Sequence, residues 1–150
     1  MPTSQRFSVN KKNGFTLIEL LVVVSIIAIL SLIGLTLFAD VQKNARDAKR
    51  RLDVDAISKA YEANYTSGTS TPYPVPQPAW FTGNAIPKDP AGVEYFWNGA
   101  QSIPTATRTT YTICASLENK NGNSSSVGDG TTFTAATGSS ATHYCQRNQQ

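Results

Sequence analysis

The clearest pattern along the chain is an unbroken apolar run near its N-terminus. Residues 15–39 read FTLIELLVVVSIIAILSLIGLTLFA, and the part from Leu20 onward contains no charge. At ~1.5 Å per residue this run makes about 37 Å of helix, enough to cross the ~30 Å hydrocarbon core of a bilayer. A buried helix of a soluble protein would show a polar stripe, whereas the only polar residues after Glu19 are serines and a threonine that can bond their own backbone. The run therefore predicts a membrane-spanning helix.

A helical pattern continues beyond this run. Small and apolar residues recur every three or four positions, with charges on the remaining faces. The recurring residues are Val41, Ala45, Ala48, Leu52, Ala56, Ala60 and Ala63. The pattern predicts one helix from Phe15 to about Tyr65, ~75 Å long, whose second half at 40–65 is amphipathic. Gly68 and Pro72 follow as stop signals.

The remaining residues change to short strand-like runs after a proline-rich stretch. Six of the eight prolines lie between residues 70 and 90, so 66–90 is predicted to be a connecting loop. Strand-like runs follow at 93–97, 109–117, 141–145 and, less clearly, 131–135, separated by turn formers such as Asn98-Gly99 and Asn121-Gly122. We expect residues 91–150 to form a small antiparallel sheet packed on the second half of the helix. The predicted class is α+β.

The net charge of +3 lies in the first fourteen residues, which carry Arg6, Lys11 and Lys12 and no acid. The remaining residues sum to zero, so the basic isoelectric point does not indicate a nucleic-acid partner. The cluster Lys49-Arg50-Arg51 has acidic neighbours and is interpreted as a solvated helix face, or as a set of salt bridges to neighbouring subunits.

A cleaved secretory signal is the competing interpretation of the N-terminus. The apolar run is about twice the usual ~7 to 15 residues, and Leu37-Phe38-Ala39 lacks the small-x-small cleavage pattern. The run is therefore expected to stay in the protein, with residues 1–14 as a leader. Three bases precede it and five follow shortly after, so the positive-inside rule does not fix its orientation.

Glu19 is the anomaly of the apolar run. An acidic side chain at the centre of a membrane helix costs roughly 2.5 to 3.5 kcal/mol on insertion scales, and the span offers Glu19 no partner. A cut between Gly14 and Phe15 would create an amine one helical turn before Glu19, on the same face. Neighbouring helices staggered by about a turn could then pair amine with carboxylate.

The stretch KKNGFTLIELLVVVSIIAIL resembles the leader and N-terminal segment of type IV pilins and pseudopilins, over roughly residues 11–35. The resemblance implies that a prepilin peptidase cuts after Gly14 and methylates the new amine of Phe15, and that Glu19 guides assembly. It also implies a non-enzymatic structural subunit that self-associates into a filament, with an assembly platform and minor pilins as partners. Many relatives have a helix-kinking proline where this chain has Thr36.

The resemblance leaves the branch of the family open. A disulfide loop close to the C-terminus is similar to that of many type IV pilins, whereas Ile86-Pro87-Lys88-Asp89-Pro90 is similar to a segment of the major pseudopilins of type II secretion. Either branch implies a membrane protein before assembly, and a cell-surface filament or periplasmic pseudopilus afterwards. The alternative function is a monomeric, single-span binding or adhesive domain.

Residues 66–150 contain few large aliphatic side chains, so we expect a covalent cross-link to stabilise the C-terminal region. Cys114 and Cys145 are the only cysteines in the chain. A bridge between them would close a loop of about 31 residues and contribute roughly 3 to 4 kcal/mol by the chain-entropy model. Two free thiols in a reducing compartment are the alternative, and a location outside the cytoplasm favours the bridge.

The sequence offers little for catalysis or for a cofactor. His143 is the only histidine, and neither a phosphate-binding glycine loop nor a nucleophile elbow occurs. Its position two residues before Cys145 is typical of an ordinary strand residue. Calcium is the one cation for which oxygen ligands are available, although a polar turn is the favoured interpretation. The candidate ligands are Glu118, Asn119, Asn121, Asn123 and Asp129.

Overall fold

The computed structural model describes residues 14–128 and 134–149 of the chain. One long α-helix is followed by three short strands: α1 is Leu17–Ala63, β1 is Phe96–Trp97, β2 is Thr112–Ser116 and β3 is His143–Arg147. The chain divides into two compact units between Ala39 and Asp40. The predicted α+β class is confirmed.

The N-terminal unit contains the apolar part of α1, which we call the apolar segment, residues 17–38. Its large side chains are all exposed, and its most apolar window has a mean hydropathy of 2.9. Among the described residues, α1 is the one helix long and apolar enough to cross a membrane by length and composition. The Ser25 hydroxyl donates to the Val22 carbonyl at 2.8 Å, the bond to its own backbone that the sequence predicts. The predicted leader, apart from Gly14, lies outside the described residues.

The C-terminal unit, residues 40–150, contains an antiparallel sheet with the strand order β1-β2-β3. Asn98 and Gly99 have φ angles of 47° and 85°, and the predicted turn reverses the chain after β1 as a two-residue hairpin loop. The strand β1 is shorter than predicted because the Val93 carbonyl accepts the Asp89 N–H in a preceding turn. The predicted run at 131–135 lies mostly outside the described residues.

An aromatic core joins α1 to the sheet. Tyr61 lies at its centre, stacked on Tyr111 with 4.6 Å between ring centroids and in edge contact with three further rings at 5.9–6.1 Å. The buried core residues are Val54, Ile57, Tyr61, Tyr73, Tyr95, Trp97, Tyr111, Ile113 and Ala115. Large rings therefore supply the burial that the few aliphatic side chains cannot. The prediction that Tyr95-Phe96-Trp97 contributes to the core is confirmed for Tyr95 and Trp97.

The predicted continuation of the helix is confirmed, but the sheet does not cover the face that the periodicity marks. Five exposed residues of that face, which we call the outer stripe, are Val41, Ala45, Ala48, Leu52 and Ala56. The inner face of α1 is more polar and includes the buried residues Asp47, Arg50 and Ser58. Hydrophobicity does not identify the inner face, because residues flanking the strands present tyrosine hydroxyls and backbone N–H groups to it that need polar partners.

Candidate processing and assembly segment

The bond between Gly14 and Phe15 is accessible. Both residues precede α1 in non-helical backbone, and the Phe15 side chain is 91% exposed. Among the described residues, leaving aside Gly14 and its chain neighbours, no heavy atom lies within 4 Å of the position that a Cβ atom would take on Gly14. An enzyme could therefore approach this bond without unwinding the helix.

Thr16 and Glu19 form a capping box at the start of α1. The Glu19 carboxylate accepts the Thr16 backbone N–H at 2.9 Å, and the Thr16 hydroxyl accepts the Glu19 backbone N–H at 3.3 Å. The Thr16 carbonyl accepts the N–H of Leu20 as the first intrahelical bond. Two donors that a helix N-terminus leaves unpaired are thus satisfied reciprocally.

The capping box corrects the expectation that the span offers Glu19 no partner. Within a single copy, the carboxylate bonds the backbone of its own chain and lies at the positive end of the helix dipole. The signal was present in the sequence, because Thr16-Leu-Ile-Glu19 has the spacing of a capping box. Because the carboxylate accepts the N–H of Thr16, it lies close to Phe15, the residue on which cleavage would create the new amine.

The apolar segment presents a hydrophobic surface far larger than monomeric soluble proteins expose. Its side chains range from Val22 at 46% exposed to Leu17 at 82% exposed. This surface continues around the whole helix, because Ser25, Ser31 and Thr36 are its only uncharged polar residues. Lipid or other apolar helices must cover it.

Within the C-terminal unit, a second group of polar residues connects the second half of α1 to the loops. We call it the ion-pair cluster: Arg46, Asp47, Arg50, Asp89 and Glu118. Arg46 grips Glu118 with two hydrogen bonds at 2.7 and 2.6 Å. Arg50 donates to Asp47 and Glu118, each at 2.8 Å, and also bonds Asp89 in the proline-rich loop. The two arginines thereby tie three chain segments together.

Asp47 completes the ion-pair cluster from the helix side. Its carboxylate accepts the backbone N–H groups of Glu118 and Asn119, each at 3.0 Å, directly after β2. Asp47 is 3% exposed and Arg50 is 7% exposed. The interpretation of Lys49-Arg50-Arg51 as a solvated face is therefore wrong for Arg50, whose charge is satisfied inside its own chain.

The electrostatics of the ion-pair cluster shift the pKa values of Glu118, Arg50 and Asp89 in the direction that favours their charged forms. Hydrogen bonds from Arg46 and then from Arg50 lower the pKa of Glu118 to about 2. Bonds to Asp89, Glu118 and Asp47 raise the pKa of Arg50 above its usual value, against the opposing effect of burial. Burial alone would raise the pKa of Asp89, but hydrogen bonds from Arg50 and from the Ala91 N–H outweigh it and lower that pKa.

The candidate calcium ligands form hydrogen bonds with different partners. Glu118 bonds the two arginines, Asn119 donates to the Asn44 side chain at 2.8 Å, and Asn121 bonds Arg51. Asp129 lies outside the described residues. Within the described ranges, no group of three or more His, Cys, Asp or Glu side chains is placed to hold a metal ion.

Cys114 and Cys145 form a disulfide between directly opposite positions of β2 and β3. Asn123 binds the other edge of β3, where its side chain accepts the Cys145 N–H at 2.8 Å and donates to the Cys145 carbonyl at 2.9 Å. A Cβ atom on Gly122 would collide with the His143 carbonyl, so glycine is required for this close approach. His143 is the predicted strand residue, and burial lowers its pKa.

Residues 9–35 match the family model described as the prokaryotic N-terminal methylation motif. This motif is the leader signature of type IV pilin and pseudopilin precursors, and the match confirms the resemblance found in the sequence. It covers Gly14, the capping box and most of the apolar segment. Comparison of the chain with curated proteins and with solved structures finds no match. The motif and the apolar helix together indicate a pilin-type precursor that is anchored in the membrane before assembly.

Proposed function

We propose that the chain is the precursor of a structural subunit of a type IV pilus-like filament or a type II secretion pseudopilus. A prepilin peptidase cuts it between Gly14 and Phe15 and methylates the new amine, and the subunit assembles through residues 15–39. The observation that carries this proposal is the placement of the Glu19 carboxylate. It lies in the first turn of an exposed apolar helix, beside an accessible Gly14–Phe15 bond.

Cleavage changes the electrostatics of the helix terminus. Hydrolysis removes a leader that carries three positive charges and leaves an ammonium group on Phe15. A positive charge at a helix N-terminus is unfavourable because the helix dipole already places partial positive charge there. Methylation keeps the amine basic, so the terminus still requires a nearby carboxylate. Glu19 supplies one.

Assembly exchanges the partner of Glu19. In the single chain its carboxylate bonds the Thr16 N–H. In the filament it receives the Phe15 ammonium of a neighbouring copy displaced by about one helical turn. Water is excluded from a bundle of apolar helices, so a paired ammonium and carboxylate are far more stable there than either charge alone. The pair therefore fixes the stagger between copies.

The apolar segment moves from lipid into the filament without a hydrophobic gain, because lipid tails are as apolar as its own side chains. Van der Waals packing and the ammonium–carboxylate pair then drive association. The C-terminal unit forms the outer surface of the filament, at the cell surface or in the periplasm. The function of the subunit is polymerisation on an assembly platform together with minor pilins, and it catalyses no reaction.

Mass spectrometry of the protein purified from the cells that make it tests the processing step. The expected result is a chain that begins at Phe15 with a methylated amine. A chain that retains residue 1, or one that begins after Ala39, would contradict processing by a prepilin peptidase.

Sheared cell fractions test assembly. The wild-type protein is expected in filaments visible by electron microscopy, and Glu19→Ala is expected to remain in the membrane. Ile18→Ala is the matched control, because it shortens a neighbouring exposed side chain and keeps the carboxylate. If the wild-type protein were found only in membranes, and Glu19→Ala were distributed in the same way, the result would instead indicate a monomeric anchored binding domain.

A further inference from the structure

The chain contains two triplets of the form Asn-x-Ser/Thr in which the middle residue is not proline. This is the acceptor pattern for a sugar on an asparagine side chain, and it is typical of surface loops in exported proteins. The pattern is short enough to occur by chance, so the surroundings of each triplet decide whether it serves as an acceptor. The two triplets are Asn64-Tyr65-Thr66 and Asn123-Ser124-Ser125.

The triplet that begins at Asn123 is closed by the fold. The Asn123 amide accepts the Cys145 N–H at 2.8 Å and donates to the Cys145 carbonyl at 2.9 Å, so both ends of its side chain are bound along the edge of β3. The middle residue, Ser124, is 0% exposed. A transferase could reach the Asn123 nitrogen only by separating this loop from the strand.

The triplet that begins at Asn64 lies where α1 ends and an exposed loop begins. Asn64 directly follows the last residue of α1, and both it and Tyr65 are half-buried. All residues of 66–71 are exposed. The Thr66 hydroxyl, which the acceptor pattern requires, has no hydrogen-bond partner within the described ranges. This hydroxyl is therefore available to a transferase.

The Asn64 side chain can carry a sugar and keep its place at the helix end. Its Nδ2 atom donates to the Ala60 carbonyl at 2.8 Å. That nitrogen has two hydrogens, and attachment of a sugar replaces only one of them, so the bond to Ala60 is retained. Helix ends open locally at a low free-energy cost, which gives a transferase access to the half-buried amide.

We propose that Asn64 carries an N-linked glycan and that Asn123 does not. The donor is an oligosaccharide joined through a diphosphate to a polyisoprenyl lipid. A bond forms between the Asn64 Nδ2 atom and the anomeric carbon of the first sugar, while the bond from that carbon to the diphosphate oxygen breaks. The lipid diphosphate leaves, and the amide proton passes to a base of the transferase. This inference goes beyond the proposed function and shares with it only the location of the C-terminal unit outside the cytoplasm.

Peptide mapping of the full protein, purified from the cells that make it, tests the site. After reduction of the disulfide, trypsin separates the two triplets into the peptides 60–88 and 121–147. Fragmentation that preserves side-chain modifications is expected to place the mass of one or more sugars on Asn64 and none on Asn123. An unmodified Asn64, a sugar only on serine or threonine hydroxyls, or a sugar on Asn123 would overturn the inference.

The Thr66 hydroxyl gives a second readout with a matched control. Thr66→Val keeps the shape of the side chain without its hydroxyl, and it should lower the fraction of glycosylated Asn64 at least about tenfold. Thr66→Ser keeps the hydroxyl and should retain glycosylation within about threefold of wild type. Because Thr66 is exposed, neither change should disturb folding. Equal glycosylation of Thr66→Val and wild type would count against recognition of the triplet and overturn the inference.

Sugar attachment and filament assembly are separable, because the transferase acts on single chains. Glu19→Ala, which is expected to block assembly, should still carry the glycan on Asn64. Wild-type protein that is found in filaments with an unmodified Asn64 would refute glycosylation alone. Glycosylated wild-type protein that is found only in membranes would refute the filament function alone.

Discussion

The two parts of α1 show opposite relations between hydrophobicity and burial. The apolar segment is the most hydrophobic part of the chain, and its large side chains are exposed. In the C-terminal unit the same helix buries Asp47, Arg50 and Ser58 and exposes Leu52. A residue is buried within one chain only where that chain supplies a matching partner. Among the described residues of its own unit the apolar segment has no such partner, so lipid or other apolar surfaces must cover it.

In the C-terminal unit, phenol hydroxyls meet polar residues of the helix. The Tyr111 hydroxyl bonds Ser58 at 2.9 Å and Glu62 at 2.8 Å, and the Tyr95 hydroxyl donates to Asp53 at 2.7 Å. Burial raises the pKa of both tyrosines, with a further rise from these carboxylates. The phenols therefore stay protonated and act as donors, which explains why the inner face of α1 needs acceptors as well as apolar groups.

The largest expected effect is the loss of the central ring of the aromatic core. Tyr61→Ala removes contacts with four other rings and is expected to lower the free energy of unfolding by about 4 kcal/mol. Urea unfolding of the full chain in detergent, followed by the fluorescence of Trp80 and Trp97, measures it. Tyr61→Phe keeps the ring and is the matched control. A loss no larger than that of the control would contradict the central role of this ring.

The next effect concerns the buried cation of the ion-pair cluster. Arg50→Met keeps much of the side-chain volume but leaves Asp47 and Asp89 without their shared partner, and it should destabilise the C-terminal unit by about 3 kcal/mol. Arg50→Lys restores the charge without the two-pronged geometry and should recover part of the loss. Denaturant midpoints of the three proteins check this order. Equal midpoints would show that the cluster contributes nothing to stability.

A smaller effect is a dependence of stability on acidity. Glu118 has a pKa of about 2 in the folded chain, against 4.5 for an unperturbed glutamate. Because the folded value is the lower one, Glu118 contributes stability above pH 4.5, and this contribution is lost as the pH falls toward 2. As the pH is lowered between these values, the melting temperature of Glu118→Gln should therefore fall less steeply than that of wild type. If the melting temperatures of the two proteins fell equally with pH over this range, the pairing of Glu118 with Arg46 would be contradicted.

The smallest expected effect is a truncation in the apolar segment. Leu21→Ala truncates a residue that is 57% exposed. The free energy of unfolding of the C-terminal unit, measured with urea in detergent, should therefore change by less than about 0.5 kcal/mol. Set beside Tyr61→Ala, this variant isolates the comparison between the two regions. A large loss of stability in Leu21→Ala would show that the apolar segment supports the C-terminal unit, against the division of roles described above.

The sequence predicts most of the architecture because the strongest signals are local. The apolar run, the proline-rich stretch and the Asn98-Gly99 turn each follow from neighbouring residues, and the helix ends at Ala63, two residues before the predicted end. The two lone cysteines also indicate their pairing. What the sequence does not reveal is which side of the second half of α1 the sheet covers. That choice depends on hydrogen-bond acceptors on α1 for the hydroxyls of Tyr95 and Tyr111, two residues that are far from α1 in the sequence.

The N-terminal methylation motif is predictable from the sequence for a related reason, although the sequence prediction leaves out one residue. Gly14, Phe15 and Glu19 stand in register with a basic leader and an uncharged helix, and the methylation motif spans them. The residue left out is the capping partner Thr16, because a charge in lipid predicts a partner of opposite charge, whereas the Glu19 carboxylate accepts a backbone hydrogen bond. The ion-pair cluster could not be anticipated, since Asp89 and Glu118 reach Arg50 only through tertiary folding.

The bridge between Cys114 and Cys145 has a consequence for the effect of proteolysis on this protein. The two cysteines are 31 positions apart, and the polypeptide between them includes the loop from β2 to β3. A single cut anywhere in that loop would leave both fragments covalently linked through sulfur, and β3 would stay paired with β2. The nicked protein would thus keep its sheet, and cleavage of one exposed peptide bond would not release a fragment.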